Sequence, residues 1–196
     1  MSRYEADSYC YPESDVLRNK LDIRNQAALD AFEADATAIR MVELIESPIT
    51  GDFDFKHLLA LHYHLFQDIY DWAGEIRTVD ISRENSRFAN VNHIENYLEK
   101  ILYQIKADHF FKDLSPELFI AKLAHVMAEI NATHLFRDGN GRTQRLFCEL
   151  LAERAGYFVD FSNVEREQMY QVMTASFNAD EVPLADLLER ITSIIE

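Results

Sequence analysis

The densest run of reactive side chains in the chain lies between residues 134 and 145, which read His134-Leu-Phe-Arg-Asp138-Gly-Asn-Gly-Arg-Thr-Gln-Arg145. His134, where an apolar run gives way to a polar loop, is a residue type that takes a proton from a hydroxyl near neutral pH. Gly139, Asn140 and Gly141 make a turn whose backbone N–H groups can all point inward, and the helix that follows adds partial positive charge. Arg142 and Arg145, three apart on the first turn of that helix, extend the cradle with guanidinium donors suited to phosphate oxygens. Asp138, the only acid in the segment, is placed to hold Mg²⁺ against an oligophosphate. The segment carries three Arg against one Asp inside a chain of formal charge −15. A base, an anion cradle and a metal ligand this close together point to phosphoryl or nucleotidyl transfer.

The elements that must position this loop read mostly as helices. Residues 22–46, rich in Ala, Leu and Glu, predict a long helix stopped by Ser47-Pro48. Residues 53–72 predict a second, with Leu58, Leu61, Leu65 and Ile69 at helical spacing and Gly74 beyond it. From 75 to 89 the periodicity breaks, and Arg83-Glu-Asn-Ser supplies turn residues for a short hairpin. Residues 91–106 return to helix, with Ile94, Tyr97, Leu98 and Ile101 expected in the core. Ser115-Pro116-Glu117 is a helix start, and the run after it is apolar nearly all round, as in a central buried helix. Residues 142–155 form the helix after the reactive loop, and Gly156 suits its C-terminal cap. Ser162 and Glu165 read as a capping box for a helix to about Ser176, and 182–196 reads as a last amphipathic helix. The expected architecture is all-α with one small hairpin, in a single domain over residues 1–196, since no repeat or linker interrupts it.

Composition agrees. The chain has 196 residues, 48% of them hydrophobic and 27% charged, and only 5 Gly and 4 Pro, which argues against a many-turned β-sandwich. With 34 Asp+Glu against 19 Lys+Arg, it lacks the broad basic face that direct nucleic-acid or anionic-membrane binding needs. Its 2 cysteines fit neither a disulfide framework nor a zinc site, no run is long enough to span a bilayer, and the opening residues lack a leader pattern. These features predict a cytoplasmic protein.

The segment 134–145 is similar to the Fic motif, His-x-Phe-x-Asp/Glu-Gly-Asn-Gly-Arg-x-x-Arg, at every fixed position. Trp72-Ala-Gly-Glu-Ile-Arg77 and Arg87-Phe88-Ala89-Asn90 resemble the family's helix end and flap, and residues 11–19 resemble the short toxin type. The resemblance implies a protein adenylyltransferase that moves AMP from ATP to a Tyr, Ser or Thr hydroxyl of a target protein. In it His134 would be the general base and Asp138 the Mg²⁺ ligand. Gly139, Asn140 and Gly141 would form the anion hole, with the Asn140 side chain on the α-phosphate. Arg142 would hold the β-phosphate, Arg145 the γ-phosphate, and Phe136 would fix the loop in the core. Ile76, Arg77, Thr78, Val79, Asp80 and Ile81 would dock the target by strand pairing. Gly141, where the Doc kinase branch has Lys, favours AMP transfer over phosphate transfer.

Toxin-type relatives modify DNA gyrase or topoisomerase IV, which become expected targets; an injected effector is the alternative destination. Many Fic proteins are restrained by a helix bearing Ser/Thr-x-x-x-Glu-Gly/Asn, whose Glu occupies the second motif arginine. Only Thr192-Ser-Ile-Ile-Glu196 fits the first part of that pattern, and its plain reading is a terminal amphipathic helix. A separate small antitoxin is therefore the expected restraint. Two other functions remain open: a silent nucleotide-binding interaction module, and a transferase of another nucleotide or of phosphocholine. Elsewhere, His62 and His64, two apart on a helix, make a poor metal pair, His125 and Glu129 lack a third ligand, and Trp72 is expected beneath the flap. The motifs of P-loop, kinase and zincin enzymes are absent.

Overall fold

The computed structural model describes residues 8–83 and 86–195. Helix α1 (Gln26–Glu46) starts where the Asn25 side chain accepts a hydrogen bond from the Ala28 N–H. The predicted start at residue 22 is too early, because Asn19 ties 17–23 into a turn by bonding the backbone of Leu17, Leu21 and Ile23. Helix α2 (Phe55–Phe66) is capped by Asp54 and is shorter than the sequence suggests. The chain turns through 67–74, and the Gly74 N–H donates back to His62 Nδ1 at 2.8 Å, a closure that helix to Trp72 would forbid. Ile69 and Tyr70 stay buried within that turn.

The hairpin is confined to β1 (Ser82–Arg83) and β2 (Ser86–Arg87), paired antiparallel with Ser82 opposite Arg87. Its tip, Glu84-Asn85, lies outside the described residues. Residues 76–81 are unpaired as strand; Arg77 N–H donates to the Leu135 carbonyl instead, and the Asp80 side chain accepts from Asn90 and the Val91 N–H. After a short 3-10 turn comes α3 (Ile94–Ala107), which buries Ile94, Leu98, Leu102 and Ile105. Tyr97 departs from the core expectation: it is 43% exposed and donates its hydroxyl to Glu129.

Helix α4 (Pro116–Thr133), capped by Ser115, is the centre of the molecule, with Phe119, Leu123, Ala124 and Met127 almost fully buried. It packs against α3 and against the three helices that follow. Helix α5 (Asn140–Ala155) starts two residues earlier than expected and ends at Gly156, whose φ of +92 suits glycine.

The C-terminal third differs most from the sequence reading. Strand β3 (Tyr157–Val159) precedes α6 (Arg166–Phe177), whose N-cap Glu165 makes no side-chain cap. Ser162 is no cap either; its N–H donates to Asp160, so the expected capping box is a turn. Helix α7 (Val182–Ile191) buries Leu184, Leu187 and Leu188 and then stops. Thr192 turns its hydroxyl back to the Leu188 carbonyl and opens β4 (Thr192–Ile194), whose Thr192 and Ile194 are β-branched, antiparallel to β3 with Val159 opposite Thr192. Helix does not continue through residue 195, Ile194 is exposed, and Glu196 lies outside the described residues. The fold is mainly α-helical with two small two-stranded sheets.

Candidate active site

The loop between α4 and α5 is built by opposed helix ends. At the C-terminus of α4, His134 adopts a left-handed conformation (φ 44, ψ 59), which ends the helix and turns the imidazole out of its axis. The ring stacks on Phe88, next to the hairpin, with centroids 4.1 Å apart. Arg77 fixes the backbone beneath it. Its guanidinium is buried and donates to the carbonyls of His134 (2.8 Å), Val79 (2.6 Å), Ala89 (2.5 Å) and Thr133 (3.2 Å). Asp80 Oδ1 stands 3.6 Å away, and burial pushes the Arg77 pKa down. Arg77 thus turns inward, joining both arms of the flap to the histidine; of the six flap residues, Thr78 and Asp80 are exposed and Ile76, Val79 and Ile81 half-buried.

Phe136 is fully buried and stacks on His62 at 3.7 Å. His62 is itself buried, accepting from Gly74 N–H at Nδ1 and meeting the Asp138 carbonyl with Nε2 at 3.0 Å. Those partners place the ring proton on Nε2, as a donor into the loop. Burial lowers the His62 pKa from 6.5 to about 3. The folded ring then binds fewer protons than the unfolded one between those values, so its contribution is complete above pH 6.5 and is lost as pH falls toward 3. The loss runs at up to ~1.4 kcal/mol per pH unit. Unfolding free energies at pH 7 and pH 5 should therefore differ by ~2 kcal/mol less in His62→Gln than in the parent. Equal differences in denaturant titrations would refute this role.

The cradle itself begins at Gly139, φ +76, where a Cβ would collide with the Phe66 ring and lie 3.1 Å from His62 Nε2. Glycine there also leaves α5 without a side-chain cap, so its first N–H groups face the cleft. The Asn140 side chain closes the loop: its Oδ1 accepts from Phe136 N–H at 2.9 Å and one Nδ2 hydrogen goes to the Phe136 carbonyl at 2.8 Å. That leaves the second Nδ2 hydrogen and the backbone N–H of Asn140 as donors for an anion. Asp138 is half exposed and lines the cleft, with Oδ1 bonded to Gly139 N–H at 2.5 Å.

The two arginines differ. Arg142 pairs with Glu33 of α1 and lies over the Phe66 ring at 4.7 Å. Arg145 makes no hydrogen bond or ion pair among the described residues, although burial lowers its pKa. One turn on, burial raises Glu149 to about 7 against the opposing charge of Arg145. At Gly141 a Cβ would sit 3.3 Å from Arg145 Nη1, so a longer residue would crowd that guanidinium.

His134, Asp138, the Gly139–Gly141 turn, Arg142 and Arg145 line a cleft of about 1280 Å³ that also takes in Arg137 and Arg166. A second cleft of about 750 Å³ joins it at His134, Gly141 and Arg145 and is walled by Phe88 and by Met169, Tyr170 and Met173 of α6. Trp72 lies outside both, stacked on Tyr70 at 4.3 Å and edge-on to Tyr9. His125 and Glu129 do acquire a third neighbour, Glu181, within 4.8 Å, but His125 is exposed and bonded to Glu181 at 3.0 Å, an ion pair between α4 and the start of α7.

Glu33, His62 and Tyr70 carry parts of this site that motif reading misses. Their signal is positional: Glu33 shares the buried face of α1 with Leu29, Ala36 and Thr37, and His62 that of α2 with Leu58 and Leu65.

A helix–loop–helix with an uncapped second helix, a histidine beside it and an arginine one turn in that is unbonded among the described residues has the donors an anion needs. The model of the Fic/DOC family matches residues 52–152, and the chain belongs to that family. It is 39% identical over 194 residues to y4lH of Sinorhizobium fredii, covering 97% of this chain and 100% of that protein. It is 38% identical over 192 residues to protein adenylyltransferase VbhT of Bartonella schoenbuchensis, covering 97% of this chain but only 40% of VbhT. Among solved structures, the N-terminal Fic domain of a VirB-translocated effector from Bartonella quintana with bound ADP superposes with a TM-score of 0.88 at 32% identity, covering 96% of this chain and 95% of that one.

Proposed function

We propose that this protein transfers AMP from ATP to a hydroxyl side chain of a target protein. The observation that carries this reading is the pairing, in one cleft, of the uncapped α5 N-terminus and the unbonded Arg145 with His134 at the rim. The N–H groups of Asn140 and Gly141 take α-phosphate oxygens, Arg142 the β-phosphate and Arg145 the γ-phosphate. His134 accepts the proton of the target hydroxyl as its oxygen bonds to the α-phosphorus. The bond from that phosphorus to the bridging oxygen breaks, and pyrophosphate leaves with the electron pair.

The donor set fits Mg²⁺: one half-exposed carboxylate lining the cleft, beside the place of the phosphates, matches the cation's habit of binding through few carboxylates plus substrate oxygens. Bound at Asp138, it would neutralise charge shared by the α- and β-phosphates. The base has a place in the second cleft, between Phe88 and the Met169, Tyr170, Met173 wall. The target backbone pairs at the hairpin edge beside Ser82, with Ile81 and Ser82 at the cleft mouth.

DNA gyrase or topoisomerase IV is the proposed target, in the cytoplasm, within a toxin–antitoxin pair. No helix among the described residues is long and apolar enough to cross a membrane. Ile194 pairs with Tyr157 just past the C-terminal end of α5, ~16 Å of helix rise beyond Arg145, so a carboxylate restraining Arg145 is assigned to a separate small partner. The test is a lysate incubated with Mg²⁺ and ATP labelled at either the α- or the γ-phosphate. Protein-bound label from the α position alone is expected. Label from the γ position would establish phosphate transfer instead, and no label with bound nucleotide would establish an interaction module.

A further inference from the structure

Arg142 is held on one edge only. Its Nη2 donates to Glu33 Oε1 and stands 3.9 Å from Asp138 Oδ1, while Phe66 backs its plane. Nε and Nη1 make no bond among the described residues, and the side chain is 32% exposed, so that second edge faces the cleft. Glu33 is committed on both oxygens. Oε2 accepts the Tyr70 hydroxyl at 2.5 Å, Tyr70 stacks on Trp72, and the Glu33 side chain is only 12% exposed. A flexible arginine without such a tie would pay rotamer entropy on meeting a phosphate. The carboxylate also cancels the arginine's charge locally, leaving Arg145 and the α5 N-terminus as the net attraction.

We propose that Glu33, braced by Tyr70, is a positioning residue that presents the free edge of Arg142 to the β-phosphate of the nucleotide. This inference rests on the proposed nucleotide site, and it assigns a function to a helix outside the motif. Glu33 would not touch the nucleotide; it acts through Arg142. Its effect must then depend on a β-phosphate being present.

Calorimetric titration of the full chain with ATP, ADP and AMP in Mg²⁺ tests this. Glu33→Gln keeps the shape and removes the charge, and should weaken ATP and ADP about tenfold while AMP changes less than about twofold. Tyr70→Phe, which leaves the ion pair, should weaken ADP about threefold and carries the test if Glu33→Gln fails to fold. In an Arg142→Ala background, Glu33→Gln should add less than about twofold. Three results would each overturn the proposal. One is ADP binding as tight as, or tighter than, the parent in Glu33→Gln, which would make the carboxylate an opponent of the phosphate. The second is an equal loss for AMP, the mark of a merely structural role, and the third is an undiminished loss without Arg142. If the parent itself binds no ADP, the nucleotide site falls and this inference with it, whereas insensitive variants of a binding parent remove this inference alone.

Discussion

His134→Ala is expected to lower AMP transfer to a protein by about 100-fold or more, with ATP affinity changed by less than about threefold. The separation follows from the geometry. In the proposed site the phosphate donors are the α5 N-terminus, Arg142 and Arg145, whereas the His134 ring stacks against Phe88. The His134 backbone is held independently of its ring, through its carbonyl by Arg77 Nε. Transfer kinetics paired with calorimetric ATP titration of the same sample checks this. A parallel fall of rate and affinity would mean that the ring belongs to the nucleotide cradle, and the role of base would have to pass to another group.

Arg77→Met should be the most damaging single change outside the motif. Four carbonyls, two of them from residues 133–134 and one from each flap arm, would lose a charged donor in a buried setting. Stranding buried acceptors and removing a charge-assisted network costs ~3–5 kcal/mol. Urea unfolding should show that loss as a lower midpoint with unchanged slope. Arg77→Lys retains the charge but can reach fewer carbonyls, so it separates folding from catalysis. A folded Arg77→Lys protein should transfer AMP about tenfold more slowly at nearly normal ATP affinity, because the flap and His134 lose their shared anchor. Full activity in that variant would show that the latch serves stability alone.

These two residues illustrate what was legible in the chain before its structure. His134, Asp138, Gly139, Arg142 and Arg145 fall within one loop and one helical turn, because a phosphate cradle is local backbone geometry, and local geometry is written in contiguous residues. Arg77 reads only as part of a flap, since its partner His134 is 57 residues away. Separation in sequence likewise hides Glu33 from Arg142, 109 residues on, and His62 from Asp138, 76 residues on. A polar residue on a buried helix face is the available sign in each case, and it announces a partner without naming one.

Element ends divide in the same way. Asn25, Asp54, Ser115 and Gly156 stop or start helices through contacts within a few residues, so three caps and a C-terminal glycine match the chain's local chemistry. The run Ile191-Thr-Ser-Ile-Ile195 has apolar spacing compatible with a helix, yet it pairs with Tyr157–Val159 as strand. Ser162 and Glu165 likewise satisfy a capping pattern that the turn at Asp160 takes over. The sequence by itself determined the family, the all-helical core and the reacting loop, because periodicity, caps and a contiguous anion cradle are short-range properties. The packing of distant segments sets the rest: the Asn140 side chain closes the loop onto Phe136, Arg77 faces inward, Arg142 is tied to α1 while Arg145 makes no hydrogen bond or ion pair among the described residues, and Thr192–Ile194 pairs along β3. Each of those outcomes depends on which hydrogen-bonding group stands opposite when distant segments pack, and an unpaired buried group is too costly for the chain to leave that choice open.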